Sequence, residues 1–169
     1  MATLSFVHTR LAAHLGSRNV ARVIYGAIIG LALIVALESY PTSAGQMIGW
    51  LVGTAVAVAL AEFYSEVVGT ETSERHRVTG QQLRHMLEAA AAVAFGVAFP
   101  SVIFLLAALG LIEIGTAFTL AKWSGLVLIG FYGYWAARFA GAPVPRALVQ
   151  GGLVALIGAF LIVLKAALH

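Results

Sequence analysis

The sequence predicts an all-α integral membrane protein, a bundle of five transmembrane helices preceded by an N-terminal amphipathic helix. Three observations carry that expectation. Of 169 residues, 61% are hydrophobic and 10% are charged, against roughly 45–50% apolar and about 25% charged in an ordinary soluble domain. The apolar residues fall in stretches of the length needed to cross a hydrocarbon core of about 30 Å, which is about 20 helical residues. The charges, net +3, collect in the short segments between those stretches, a placement that sets membrane orientation and does not build a nucleic-acid-binding face.

Residues 1–19 read as a helix lying on the membrane surface. Leu4, Val7, Leu11 and Leu15 recur at helical spacing, with His8, Arg10, His14 and Arg18 on the other faces. Span one covers 20–37, and Glu38-Ser39-Tyr40-Pro41-Thr42-Ser43 closes it with turn chemistry. No small-x-small cleavage site follows it, and it is too long for the apolar region of a signal peptide, so it is expected to be retained. Span two covers 44–68. A polar connector from Glu71 to His85 belongs in water, and span three follows over 86–110, with Pro100 expected to kink it.

Between Ala89 and Ala137 the only charged residues are Glu113 and Lys122. A single helix over that stretch would be roughly 73 Å long, more than twice the hydrocarbon core. The stretch is therefore two crossings, with a hairpin at Gly110–Gly115 and span four over 114–137. A break at Arg138–Arg146, containing Gly141, Pro143 and Pro145, leads into span five over 147–165. Arg10, Arg18, Arg22, Arg75, Arg77, Arg84, Arg138 and Arg146 all fall on one side of such a bundle, while Lys165 lies at the other. The positive-inside rule then puts the N-terminus in the cytoplasm and the C-terminus outside. The short loops suit a bacterial plasma membrane.

Small residues mark where helices approach closely in lipid. Span two carries Gly45, Gly49, Gly53, Ala57, Ala61, Ser65 and Gly69 in one stripe at a spacing of four, which predicts a central packing helix. Span one adds Gly26 and Gly30, and span five adds Gly151, Ala155 and Ala159 in the same register. Spacing alone does not say whether the partner is the same chain or a second copy.

Ionisable groups at membrane depth are costly and mark pathways. Glu62 and Glu66 are four apart and share a face at the cytoplasmic end of span two, and His85 and Glu88 share a face on the first turn of span three. Three carboxylates and an imidazole at one rim suit a divalent cation such as iron, manganese or zinc. The plainer reading leaves the glutamates facing headgroups, with Arg84 paired to Glu88 four residues on. Lys122 needs a partner or a route to the surface, with Glu38 or Glu113 within reach of the outer rim. The run Phe131-Tyr132-Tyr134-Trp135 reads as an interfacial aromatic belt, and His76 as a solvated loop histidine.

Enzyme signatures are missing. The chain has no Cys, no Asp, no GxSxG elbow, no HExxH pair and no GxxxxGK[ST] loop, so neither catalysis nor a resident cofactor is expected.

The order of motifs resembles the vacuolar iron transporter family. Val23-Ile24-Tyr25-Gly26-Ala27-Ile28-Ile29-Gly30-Leu31 is similar to that family's span-one pattern, and Ala61-Glu62-Phe63-Tyr64-Ser65 to the Gly-Glu-Tyr-x-Ser that ends its span two. Gly96-Val97-Ala98-Phe99-Pro100 resembles the Gly-xxx-Pro of span three, and Gly133, Arg138, Gly141 and Pro145-Arg146 resemble the exit from span four. The resemblance implies a five-helix homodimer that exports ferrous iron or manganese from the cytoplasm in exchange for protons. Glu62 is the ligand it carries over, with Glu66, Glu88 and His85 added from the reading above. Ile29 stands where the family has its span-one aspartate, span two offers no counterpart to its pore-lining methionine, and the connector between spans two and three lacks glutamate-rich helices. A non-transporting membrane scaffold or partner subunit, or a transporter of another small solute, fits these departures.

Overall fold

The structure, a computed structural model, describes residues 17–168. The amphipathic helix expected over 1–19 lies, as far as residue 16, outside the described residues. Six helices follow: α1 Ser17–Leu37, α2 Ala44–Glu74, α3 Gly80–Ala98, α4 Ser101–Ala108, α5 Ile114–Phe139 and α6 Val144–Leu168. Four of them, α1, α2, α5 and α6, are long and apolar enough to cross a bilayer. The pair α3 and α4 passes as a fifth, bent by 45° where Pro100 interrupts it. Proline has no N–H to continue the ladder and its ring crowds the preceding turn, so the bend falls where the residue type dictates.

Local chemistry sets the ends of the elements. Ser43 and Thr79 each form a capping box with a glutamine three residues on, Gln46 and Gln82. Each box satisfies backbone donors that a helix start leaves open. The two later turns close alike. Gly110 (φ 74°) and Gly141 (φ 83°) take the left-handed conformation that glycine adopts without a Cβ clash. At each, the next N–H then reaches back into the helix, Leu111 to the Leu106 carbonyl and Ala142 to the Ala137 carbonyl, both at 3.0 Å. The α2–α3 connector is shorter than the polar stretch suggests, because α2 runs on to Glu74 and α3 begins at Gly80. Helix α2 thus extends well beyond the expected end of span two at residue 68.

The centre of the bundle is α1, which packs chiefly on α3 and α5 and buries Val20, Val23, Ala27, Leu31, Ile34 and Val35. Helix α2 lies at the periphery, held by α3 and α4 and scarcely touching α1. The expectation that α2 is a central packing helix is therefore corrected. Every residue of its small-residue stripe is exposed, and among the described residues a Cβ placed at Gly45, Gly49, Gly53 or Gly69 would meet nothing within 4 Å. The close approaches occur elsewhere. A methyl group at Gly26 would overlap the Val93 carbonyl oxygen, and one at Gly96 the Val23 carbonyl oxygen, so α1 and α3 cross in direct backbone contact. At the second such crossing, between α5 and α6, a Cβ on Gly151 would sit 2.7 Å from the Gly130 carbonyl oxygen. The end of the bundle near the α4–α5 turn is filled by Ile34, Met47, Leu51, Phe104, Ala117, Phe118 and Ala121. There the Phe104 and Phe118 rings meet edge to face at 5.1 Å.

Candidate functional site

Three ionisable side chains meet between α1 and α2. Glu62 and Glu66 are one helical step of four apart on α2, so their carboxylates project from the same face. Across from them stands Arg22, in the second turn of α1. Its Nε donates to Glu62 Oε1 at 3.0 Å and its Nη2 to Glu66 Oε1 at 3.0 Å. Different guanidinium nitrogens serve different carboxylates, which uses the fixed fork of the arginine head. All three side chains are mostly shielded, and Glu66 Oε2 is enclosed with no donor among the described residues. At about 1.5 Å per residue Glu62 lies roughly 27 Å along α2 from Ala44.

Beside the ion triad runs a groove of about 410 Å³ lined by Tyr25 of α1 and by Ala57, Val58, Ala61, Glu62 and Ser65 of α2. It exists because α1 and α2 diverge and because the residues on that face of α2 are small. Three members of the stripe, Ala57, Ala61 and Ser65, form its floor. The groove therefore opens onto the same unpartnered face of α2.

The expected cluster of four does not assemble. His85 and Glu88 pair loosely with each other at 3.7 Å, both largely in solvent. Among the described residues Arg84 makes no ion pair with Glu88, and no group of three or more His, Cys, Asp or Glu side chains is arranged to hold a metal ion. The structure thus brings Glu62 and Glu66 together and leaves Glu88 and His85 apart from them. The rotational setting of α3 about its own axis decides this, and spacing along one helix does not report it.

Arg22 is the member of the ion triad that is absent from the sequence-based site candidates. It counted in the sequence as one of the basic residues that set orientation, yet it lies two residues inside the apolar run of span one. A lone arginine at that depth calls for a partner, and that was the available signal. Lys122 at the opposite end takes Glu38 as its partner, Nζ to Oε1 at 2.6 Å, in preference to Glu113. The Lys165 amine bonds the Val35 carbonyl oxygen near the same end. His76 is mostly exposed, as expected, and lies against Glu74 at 3.1 Å. That carboxylate also accepts from Gln82 Nε2 at 2.9 Å, while Glu71 accepts from the Val78 N–H, so the α2–α3 connector is a small bonded unit. In the aromatic run, Trp135 stacks at an edge with Phe131 and Tyr134, and its Nε1 is buried with no partner among the described residues.

No protein-family model, curated protein or solved structure matches this chain. The functional reading therefore rests on its own residues.

Proposed function

We propose that this chain is a five-span integral membrane protein of a bacterial plasma membrane. On this reading it forms a homodimer and moves a divalent cation, with iron and manganese the first choices, from the cytoplasm outward in exchange for protons. The observation that carries the reading is Glu62, a carboxylate on the wall of a groove whose other lining is Tyr25, Ser65 and small apolar residues of a long apolar helix. Carboxylate oxygens are suitable donors for hard and borderline divalent ions, and a carboxylate at membrane depth has a cost that a transport role explains. Glu66 assists, since one guanidinium holds it together with Glu62. His85 and Glu88, exposed on the first turns of α3, act as collectors of cations at the rim and not as ligands of the inner site. A second copy laid along the open small-residue face of α2 would roof the groove and place two Glu62 side chains across one seam. The cation is cargo in this scheme, and no resident cofactor is called for. The likeness of the motif order to the vacuolar iron transporter family points the same way.

One observation favours a second reading. Arg22 already holds one oxygen of each carboxylate, with Ile29 in the position of the family's aspartate. A non-transporting partner subunit, or a transporter of another small solute, would keep such a closed ion triad.

The deciding experiment is uptake of ferrous iron, manganese and zinc into sealed proteoliposomes of known orientation, with and without a proton gradient, for wild type and Glu62→Gln. Proton-coupled flux that the substitution abolishes is the expected result. Flux of none of the three ions, or flux indifferent to Glu62→Gln, leaves the second reading in its place.

A further inference from the structure

Arg22 occupies the position in which a cation between Glu62 and Glu66 would sit, and this changes how such a site must work. Two carboxylates against one guanidinium leave a local charge of one negative unit. In this mostly shielded setting a carboxylate with no cation beside it is costly, because its desolvation is only partly repaid. The carboxylates therefore have two supported states, one bound to Arg22 and one bound to a replacement cation. Contact between α1 and α2 is otherwise slight, so at this end the bridge is also what draws the two walls of the groove together.

We propose that Arg22 is a tethered counter-ion that closes the groove between α1 and α2 and selects for divalent cations by being displaced. This rests on the reading of Glu62 as a cation ligand. A divalent ion brings two positive charges to two carboxylates and neutralises them. It frees the guanidinium, whose long stem reaches from the second turn of α1 toward the headgroups. It also takes up oxygens that Arg22 does not use, Glu66 Oε2 among them, which is enclosed with no donor among the described residues. A monovalent ion replaces one positive charge with another and forfeits two charge-assisted hydrogen bonds at 3.0 Å. It does not compete. Displacement loosens the α1–α2 contact, so binding and opening are one event.

The test is equilibrium binding of Mn2+ to the purified full chain in lipid nanodiscs, read from the free-ion paramagnetic resonance signal, for wild type, Arg22→Gln, Arg22→Lys and Glu62→Gln. Arg22→Gln should tighten Mn2+ binding by about tenfold or more, the lower end of couplings between close charge pairs. It should also let Na+ compete where the wild type excludes it. Arg22→Lys, a point charge without the fork, should fall between the two. An independent reading comes from Val58→Cys in the otherwise cysteine-free chain, where Mn2+ should speed thiol labelling with Arg22 present and have no further effect with Arg22→Gln. Wild-type binding that Glu62→Gln removes but Arg22→Gln leaves equal or weaker overturns the tethered counter-ion alone. Labelling of Val58→Cys that ignores Mn2+ overturns it as well, even should Arg22→Gln fold poorly. Absence of Mn2+ binding in every variant overturns the cation reading, and this proposal with it.

Discussion

Two helices of this bundle carry the same kind of small-residue spacing and use it in opposite ways. On α1, Gly26 and Gly30 face α3 so closely that no side chain fits, and Gly96 completes the crossing from the other side. On α2, the longer series from Gly45 to Gly69 is exposed, and a Cβ at any of its glycines would meet nothing within 4 Å among the described residues. In lipid no hydrophobic drive presses helices together, so close packing of small residues is one of the few sources of helix affinity. The pattern states that a backbone is able to come close. It does not state whose.

The largest effects should come from breaking the crossing that is already made. Gly26→Leu or Gly96→Leu drives a side chain into backbone atoms that have no alternative position, at a cost of about 1–3 kcal/mol or more. Loss of monodisperse protein in mild detergent, or a steep fall in thermal midpoint, is the expected readout. Unchanged stability would mean that α1 and α3 are not in backbone contact. Next comes the converse substitution on α2. Gly53→Leu with Ala57→Leu should leave the thermal midpoint of the protomer within roughly 0.5 kcal/mol of the parent, as substitutions at open surface do, while abolishing pairing measured by subunit counting in vesicles. Equal damage to folding and pairing would show that the outer face of α2 serves its own chain.

A third contrast is between the two ends of the bundle. The Arg22 bridge ties two carboxylates, whereas Lys122 and Glu38 form a single pair shielded to a similar degree. Removing one partner strands a charge more seriously than removing both. Arg22→Gln should therefore lower stability more than Lys122→Met does, and Arg22→Gln combined with Glu62→Gln should recover part of the loss in chemical unfolding. The smallest effect belongs to Glu38→Gln, within about 0–1 kcal/mol of wild type. A larger loss there would place the outer pair among the groups that hold the bundle together.

Reading the candidate site from the sequence went as far as one helix face reaches. Glu62 and Glu66 sit four apart on an apolar helix, and their shared direction follows from helical period alone. His85 and Glu88 were legible in the same sense, and they do pair, at 3.7 Å. What did not follow was that the two pairs would remain separate, or that the partner of Glu62 and Glu66 would be an arginine 40 and 44 residues earlier. Arg22 looked like an orientation signal because its neighbours Arg10 and Arg18 fit that role.

By itself the sequence determined the long apolar helices, the break at Pro100, the capped starts at Ser43 and Thr79, and the glycine turns at Gly110 and Gly141. Each is settled within a few residues, because in an apolar setting the backbone must close its hydrogen bonds locally and only certain side chains start, stop or bend a helix. Tertiary structure decided how far each helix is turned about its own axis. That rotation placed α1 at the centre and α2 at the rim, sent one glycine series inward and the other outward, and set Arg22 against Glu62 and Glu66 while leaving Glu88 and His85 in solvent. The physical reason is that a helix has the same internal energy at every rotation. Only contacts with other helices, summed over the whole bundle, distinguish one setting from the next.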